Sequence, residues 1–251
     1  MNKPKWIART VVAVAALVAC PALALVGPAN EHGPLEPHVV MVLQSLPGAA
    51  AFCSGVVLAP DVVLTAAHCV NTVKNTVIHY HDASARPVLS PVVAIAVHPL
   101  YRRDAIRTRR VSIDLALIHL AGALPAPFQP ATLASTRAFA VGERLRIAGF
   151  GLTHEGKGTS GGTFHWGVLA VREPLSQLLL WSEDPNSQGF GACTGDSGGP
   201  VFAEGAEDIV AIANWTTGHD RKTHCGALTQ GALIAPQRDW IENIVRSWRK
   251  H

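Results

Sequence analysis

The chain has 251 residues, of which 48% are hydrophobic and 16% charged, and this composition is typical of a globular protein that buries a core. Its formal net charge of +3 comes from residues 1–24, which hold three cations and no anion, so the other residues carry 18 charges of each sign. The neutral remainder gives no electrostatic reason to expect binding to nucleic acid or to an anionic membrane, and we expect no nucleic-acid partner.

Residues 1–24 have the pattern of a secretory signal peptide. Lys3, Lys5 and Arg9 form a basic start, residues 11–19 form an apolar run too short to span a bilayer, and Ala-Leu-Ala at 22–24 is a small-residue cleavage site. The mature protein is therefore predicted to begin at Leu25 and to be secreted or periplasmic. An alternative remains open, because residues 17–20 resemble a bacterial lipobox in which Cys20 would be lipidated and would anchor the protein to a membrane.

The first half of the mature chain favours short strands separated by turns. A turn-rich stretch runs to residue 37, and the turn at 59–61 makes a hairpin that ends just before His68. Asp114 interrupts the last apolar run of this half. The predicted strands and apolar runs are 39–43, 52–58, 62–65, 73–79, 88–97 and 112–120.

The second half continues the same pattern and ends in a helix. Residues 121–130 contain three prolines and are predicted to be a linker. A helix is predicted to begin at Pro236, because apolar residues at 240, 241, 244, 245 and 248 recur at helical spacing. The predicted strands are 143–151, 164–171, 177–181, 200–202, 209–215 and 231–234.

Two polar clusters have simple interpretations. Residues 102–110 contain five arginines without interleaved aromatic residues, and we interpret them as a solvated loop rather than as an anion site. His79 and His81 would share one face of a strand, but two ligands do not close a metal shell. The chain also has no Cys-x-x-Cys pair and no His-Glu-x-x-His motif, so no metal site is predicted.

Four cysteines remain once Cys20 in the predicted signal peptide is set aside. They are Cys53, Cys69, Cys193 and Cys225. An even number of cysteines in an exported chain predicts two disulfides, and spacing alone leaves all three pairings open.

Three separated blocks carry the chemistry of a nucleophilic hydrolase. They are Leu-Thr-Ala-Ala-His-Cys at 64–69, Asp-Leu-Ala-Leu at 114–117 and Gly-Asp-Ser-Gly-Gly-Pro at 195–200. In sequence and order they resemble the blocks of the trypsin-like (chymotrypsin-fold) serine proteases, and residues 149–153 and 239–241 extend the likeness. The chain is thereby identified as a member of that family, with the resemblance running from Leu25 to the last helix.

The resemblance implies an all-β fold. It consists of two six-stranded antiparallel Greek-key barrels with the active site between them, plus a C-terminal α-helix. Residues 25–251 would form the protease domain, with the first barrel at about 25–121, a linker at about 122–135, the second barrel at about 136–235 and the helix at about 236–250.

The resemblance also gives roles to single residues. Ser197 would be the nucleophile, His68 its general base and acid, and Asp114 the group that orients and stabilises the imidazole ring. The N–H groups of Gly195 and Ser197 would form the oxyanion hole. The Gly-x-Ser-x-Gly pattern also fits the nucleophile elbow of α/β-hydrolases, but the strand predicted at 200–202 argues against the helix which that elbow opens.

In this family a buried α-amino group forms an ion pair with the aspartate before the nucleophile. Asp196 matches that aspartate, and residues 25–28 resemble the family's Ile-Val-Gly-Gly start. Removal of the signal peptide would thus create the active N-terminus at Leu25, although Pro28 in place of glycine leaves another processing site open. The resemblance further pairs Cys53 with Cys69 and Cys193 with Cys225.

The substrate pocket predicted from the resemblance lacks a charge. Gly191 stands at the base, where trypsins have aspartate, and Thr216 replaces a glycine and would narrow the pocket. Small or medium uncharged side chains are therefore expected on the acyl side of the scissile bond, at P1. The other matching positions are Ala192, Thr194, Asn214 and Trp215.

The sequence thus predicts a secreted serine endopeptidase that acts on polypeptides as a monomer. No metal or organic cofactor is required, and no calcium is expected because the paired glutamates of the family's calcium loop are absent after His68. Membrane association would arise only through lipidation at Cys20. Two alternatives remain open: a weakly active relative that serves as a binding protein, and an esterase.

Overall fold

The structure is a computed structural model that describes residues 25–108, 110–220 and 222–249. The predicted signal peptide, with Cys20, lies outside the described residues, as does Arg109 of the basic cluster. No helix within the described ranges is both long and apolar enough to cross a membrane.

Strands dominate the chain, and short helical segments join or close them. The strands are β1 (Asn30–Glu31), β2 (Val39–Leu46), β3 (Ala49–Ala59), β4 (Val62–Thr65), β5 (Thr76–His81), β6 (Pro87–Val97), β7 (Ala116–Leu120), β8 (Thr132–Leu133), β9 (Arg144–Gly149), β10 (His165–Val171), β11 (Leu179–Glu183), β12 (Pro200–Ala203), β13 (Asp208–Thr217) and β14 (Leu228–Leu233). The α-helices are α1 (Ala105–Thr108) and α2 (Arg238–Trp248).

The first barrel closes six antiparallel strands in the order β2-β3-β4-β7-β6-β5. Closure leaves no exposed sheet edge, and the β-branched residues of the strands fill the interior. Val40, Val56, Leu64, Leu117 and Ile118 are all fully buried in one cluster.

The second barrel closes β9, β10, β11, β14, β13 and β12 in that order, since β9 pairs with both β10 and β12. β1 and β8 are added at its margins, β8 in parallel with β13. The prediction of an all-β fold with two six-stranded antiparallel barrels and a C-terminal helix is confirmed.

The N-terminal segment corrects the predicted start of the first barrel at residue 25. Asn30 and Glu31 of β1 pair with β10, and Val26 forms a bridge with Gly191, so these residues lie on the second barrel. The first barrel begins only at β2. This turn-rich stretch has no alternating pattern of apolar residues that could indicate which strand it pairs with. The prediction therefore assigned it to the wrong barrel.

Several strand boundaries also differ from the predictions. Residues 73–75 form a 3-10 turn, and residues 112–115 are not paired as a strand although Ile113 and Leu115 are buried. The strand predicted at 177–181 lies at 179–183, and the one predicted at 231–234 lies at 228–233. An apolar run records burial, and burial does not require strand pairing.

Helix α2 follows β14 of the second barrel and packs against β7 of the first barrel. A 3-10 turn at Ala235–Gln237 precedes it, so the α-helix begins at Arg238 rather than at the predicted Pro236. Ile241 is fully buried in the cluster that holds the first-barrel core and also includes Phe202 and Ile212 of the second barrel. Trp248 stacks on His119 of β7, with ring centroids 5.0 Å apart.

Candidate active site

His68 and Asp114 meet because their strands are neighbours. β4 and β7 pair with Thr65 opposite Ala116, so the residues just after β4 and just before β7 lie side by side. The Asp114 carboxylate accepts two hydrogen bonds from His68, one from the backbone N–H to Oδ1 at 3.0 Å and one from Nδ1 to Oδ2 at 2.7 Å. Both carboxylate oxygens are used, which fixes the imidazole ring and leaves Nε2 for a reacting group.

The loop that carries Ser197 is held by both barrels. Ser54 of β3 donates its backbone N–H to the Ser197 carbonyl at 2.8 Å and its hydroxyl to the Gly195 carbonyl at 2.9 Å. Gly198 donates to Ala213 of β13 at 2.6 Å. Within the described residues the Ser197 hydroxyl makes no hydrogen bond, and this includes the bond to His68 Nε2 that the triad prediction requires. The two segments are nevertheless neighbours, since Cys69 Sγ lies 3.5 Å from the Ser197 carbonyl oxygen.

A tight turn over Cys193–Asp196 orients the backbone before the serine. Asp196 donates its N–H to the Cys193 carbonyl at 3.0 Å, and Gly195 has φ +98°, which together identify a type II turn with glycine at its third position. The Thr194 carbonyl accepts a hydrogen bond from Leu152 at 2.8 Å, so the N–H of the same peptide unit, that of Gly195, points the opposite way.

Two neighbouring N–H groups therefore remain unpaired at this turn. Neither Gly195 nor Ser197 donates a backbone hydrogen bond to any described residue. A side chain at 195 is excluded, because a Cβ there would lie 2.2 Å from the Phe52 ring. The arrangement can bind a single oxygen that carries negative charge.

The Asp196 carboxylate points away from the serine into the protein. It is fully buried and accepts hydrogen bonds from the N–H groups of Gly151 and Cys193, each at 2.9 Å. No cation of the described residues forms an ion pair with it. Burial raises the pKa of Asp196 to about 7, although the two N–H donors act in the opposite direction.

The N-terminal segment lies against the same loop. Leu25 is fully buried in a cluster with Phe190 and Ala192. The Val26 carbonyl accepts a hydrogen bond from Gly191 N–H at 3.1 Å. The chain before β1 is thus held beside the turn that contains Asp196.

Glycines make the space for the Asp196 carboxylate, and this gives a stability prediction. A Cβ at Gly151 would lie 2.3 Å from Asp196 Oδ2, whereas a Cβ at Gly158 would meet nothing within 4 Å. Gly151→Ala is expected to lower the free energy of unfolding by about 1 to 3 kcal/mol, the usual cost of overpacking. Urea denaturation checks it, with Gly158→Ala as the matched control; equal stability of the two variants would contradict the steric argument.

Two threonines on paired strands contact the segment that precedes the serine loop. Thr216 of β13 and Thr229 of β14 are directly paired. The Thr216 hydroxyl donates to the Ala192 carbonyl at 2.9 Å, and Ala192 N–H donates to Thr229 Oγ1 at 3.1 Å. A Cβ on Gly191 would lie only 3.1 Å from the Gly226 backbone, so these two segments approach each other closely. The sequence did not identify Thr229, because its role depends on the register between the two strands.

Residues 214 and 215 of β13 line the space beside His68 and Asp114. Its register shifts between Ala213 and Trp215, which leaves Asn214 in a bulge. Trp215 is 37% exposed and packs edge-to-face with Trp181, with ring centroids 6.3 Å apart. Thr194, another predicted pocket position, is exposed.

Two disulfides brace the elements that carry these groups. Cys53 joins Cys69 with Cα atoms 5.9 Å apart, and Cys193 joins Cys225 with Cα atoms 4.7 Å apart. These are the pairs that the family resemblance implies. The sulfurs of Cys53 and Cys69 lie close to His68, but their disulfide removes both thiolates that a metal ion would need.

The chain is similar in sequence and in fold to known proteins. The family model described as Trypsin matches residues 27–241. Trypsin of Saccharopolyspora erythraea is 28% identical over 211 residues, which cover 75% of this chain and 86% of the relative. Transmembrane protease serine 9 of Rattus norvegicus is 27% identical over 232 residues, or 78% of this chain, and this chain spans 20% of that relative's length. Neuropsin, a serine protease expressed in the limbic system of mouse brain, has a TM-score of 0.69 and 22% identity, covering 86% of this chain and 98% of its own.

Proposed function

The chain belongs to the trypsin family of serine endopeptidases, and we propose that it is a secreted enzyme that cleaves polypeptides with His68, Asp114 and Ser197 as its catalytic triad. The observation that carries this proposal is the fixed His68–Asp114 pair. It lies on the first barrel next to a serine loop that both barrels hold, and that loop has two free N–H groups.

The groups support an acyl-enzyme reaction. Ser197 Oγ attacks the carbonyl carbon while its proton passes to His68 Nε2, and Asp114 stabilises the imidazolium ion through Nδ1–H. The oxyanion of the tetrahedral intermediate accepts hydrogen bonds from Gly195 and Ser197 N–H. Collapse breaks the C–N bond, and the amine leaves with the proton from His68. Water then attacks the acyl carbon of the ester while His68 takes its proton. The second tetrahedral intermediate collapses, His68 returns the proton to Ser197 Oγ, and the acid is released.

Covalent labelling by a fluorophosphonate tests whether the serine is activated. The mature protein is expected to be labelled once, at Ser197, with no labelling of the Ser197→Ala variant. Folded wild-type protein that is not labelled would favour the binding-protein alternative. Turnover of simple esters without turnover of peptides would favour an esterase.

We further propose that removal of residues 1–24 activates the enzyme. In the full-length chain the Leu25 nitrogen belongs to a peptide bond and cannot carry a charge. No cation among the described residues pairs with the buried Asp196 carboxylate, and Leu25 packs with Phe190 and Ala192, which precede the turn that contains Asp196. A free α-amino group at Leu25 would supply the positive charge that this carboxylate lacks, and the ion pair would fix the turn that orients Gly195 N–H.

Two threonine side chains at the proposed P1 pocket and the lack of a charge at Gly191 support a preference for small uncharged P1 residues. Wild-type protein is expected to cleave after Ala or Val in preference to Phe, Arg or Lys. In the variant Thr216→Gly/Thr229→Gly, the ratio of kcat/KM for Phe over Ala is expected to rise about tenfold or more, since both side chains at the proposed P1 pocket are removed. A P1 peptide library measures it, with Thr72→Gly on the exposed surface as control. Strong cleavage after Arg or Lys by the wild type would refute the assignment.

A further inference from the structure

A cavity of about 510 Å³ lies between the catalytic pair and a basic loop. Its walls include His68, Asp114 and Trp215, and its rim includes Arg102, Arg103 and Arg110. The sequence presents these arginines as a solvated loop, whereas the structure places them around one cavity. Because they line the same cavity as His68 and Asp114, a substrate bound at these groups would contact the arginines.

The basic loop is held in place at its base. Arg102 N–H donates to the Ser112 hydroxyl at 2.8 Å, and Ile113 N–H donates to the Leu100 carbonyl at 3.3 Å. Tyr101 N–H donates to the His98 carbonyl at 2.9 Å. These bonds close the loop immediately before Asp114, so its arginine side chains start from fixed backbone positions at the rim.

The positive charge of the rim is not neutralised locally. No carboxylate of the described residues lies within 4 Å of the guanidinium groups of Arg102, Arg103 or Arg110, while Arg107 on the same loop pairs with Asp104. Among the described residues that line the cavity, Asp114 is the only acidic one, and its Oδ2 already lies 2.7 Å from His68 Nδ1. Arg103 also hydrogen-bonds the Tyr101 side chain, which is uncharged at neutral pH. Three exposed cations without a carboxylate partner among the described residues create a positive potential over the cavity.

The opposite wall shows which part of a substrate would lie there. Trp215 and Asn214 of β13 line the same cavity. Among the described strands only β14 pairs with residues 215–217, so their other edge is open to an added strand, which a substrate backbone can supply. A peptide laid along this edge, with its P1 side chain between Thr216 and Thr229, has its preceding residues between Trp215 and the arginines. The cavity therefore faces the residues N-terminal to P1.

We propose that Arg102, Arg103 and Arg110 select peptides with acidic side chains at positions P2 to P4. This inference rests on the proposed function and deepens it: the substrate class is an acidic segment followed by a small uncharged P1 residue. Arginine suits this role because its planar guanidinium binds a carboxylate through two parallel hydrogen bonds.

Peptides with Ala at P1 test the proposal. Those with Glu or Asp at P2 to P4 are expected to have kcat/KM about tenfold above matched Gln or Asn peptides at low ionic strength, because exposed ion pairs and steering each contribute modestly. The ratio is expected to fall as salt is added, since exposed charges are screened. In Arg102→Gln/Arg103→Gln/Arg110→Gln the ratio is expected to fall to about one; the ratio does not depend on how much of the variant is correctly folded.

A charge-matched control separates the cavity from the net charge. Arg86→Gln/Arg144→Gln/Arg246→Gln removes the same three charges from positions that do not line the cavity and is expected to keep the preference. A wild-type ratio of one, a preference for Lys peptides, or equal loss in both triple variants would overturn the inference while peptide hydrolysis upholds the proposed function. Absence of hydrolysis of every peptide, with no fluorophosphonate labelling, would overturn both. Binding of a sulfated polysaccharide with no acidic-peptide preference would assign the rim to a polyanion instead.

Discussion

Replacement of Ser197 by alanine is expected to lower kcat for peptide hydrolysis by about a million-fold, the scale seen when a triad nucleophile is removed. The reason is that His68 and Asp114 act by removing the proton of the Ser197 hydroxyl. Without that hydroxyl, only the oxyanion hole and substrate binding contribute to the rate. Single-turnover kinetics with an Ala-P1 peptide measure the loss. Circular dichroism and the urea midpoint of the variant show whether its fold is intact.

Asp114→Asn is expected to cost about ten-thousand-fold in kcat through a different route. The amide can still contact Nδ1, but as a donor it would favour the wrong tautomer and could not stabilise the imidazolium ion. The double variant with Ser197→Ala should be no worse than Ser197→Ala alone, because the two residues act as a unit. Additive losses would contradict a shared mechanism and would assign Asp114 a structural role.

An uncleaved N-terminus is expected to reduce kcat/KM by about a hundred- to a thousand-fold, the cost of losing one oxyanion-hole donor. The comparison is between protein that begins at Leu25 and protein that retains residues 22–24. Without a free α-amino group, Asp196 has no buried cation to bind, and the turn that orients Gly195 N–H loses its support. Protein that begins at Gly27 is the matched control and should be equally weak. Equal activity of all three forms would contradict activation at Leu25.

The same comparison has a pH signature in stability. In the protein that retains residues 22–24, which we call the extended form, burial raises the Asp196 pKa from 3.8 to about 7. The folded state therefore holds the proton more tightly than the unfolded state does. The contribution of Asp196 to stability is therefore largest below about pH 4, and it is lost as the pH rises through 7, by about 4 kcal/mol in total. The form that begins at Leu25 should lose much less, because its α-amino charge stabilises the carboxylate. Urea unfolding at pH 4 and pH 8 measures both forms, and Asp196→Asn should remove the difference in the extended form.

The sequence by itself determined the features that are local. The blocks at 64–69, 114–117 and 195–200 identified the family. Each block contains a candidate catalytic residue together with neighbours whose type is set by the conformation and close packing of the backbone there. Gly198 is an example: its φ is +82°, and a Cβ there would lie 2.1 Å from the Thr65 hydroxyl oxygen. Alternating and β-branched runs likewise predicted an all-β fold, since side-chain period and turn residues belong to the segment itself.

Only the tertiary structure decided what depends on pairing between distant segments. It set Thr229 opposite Thr216, laid residues 26–31 on the second barrel, and turned the arginines at 102, 103 and 110 toward the cleft. A strand's own pattern fixes which of its side chains share a face, but not which strand lies beside it or in what register. The pocket width and the charge around the cleft follow from that register, and so they could be read only from the folded chain.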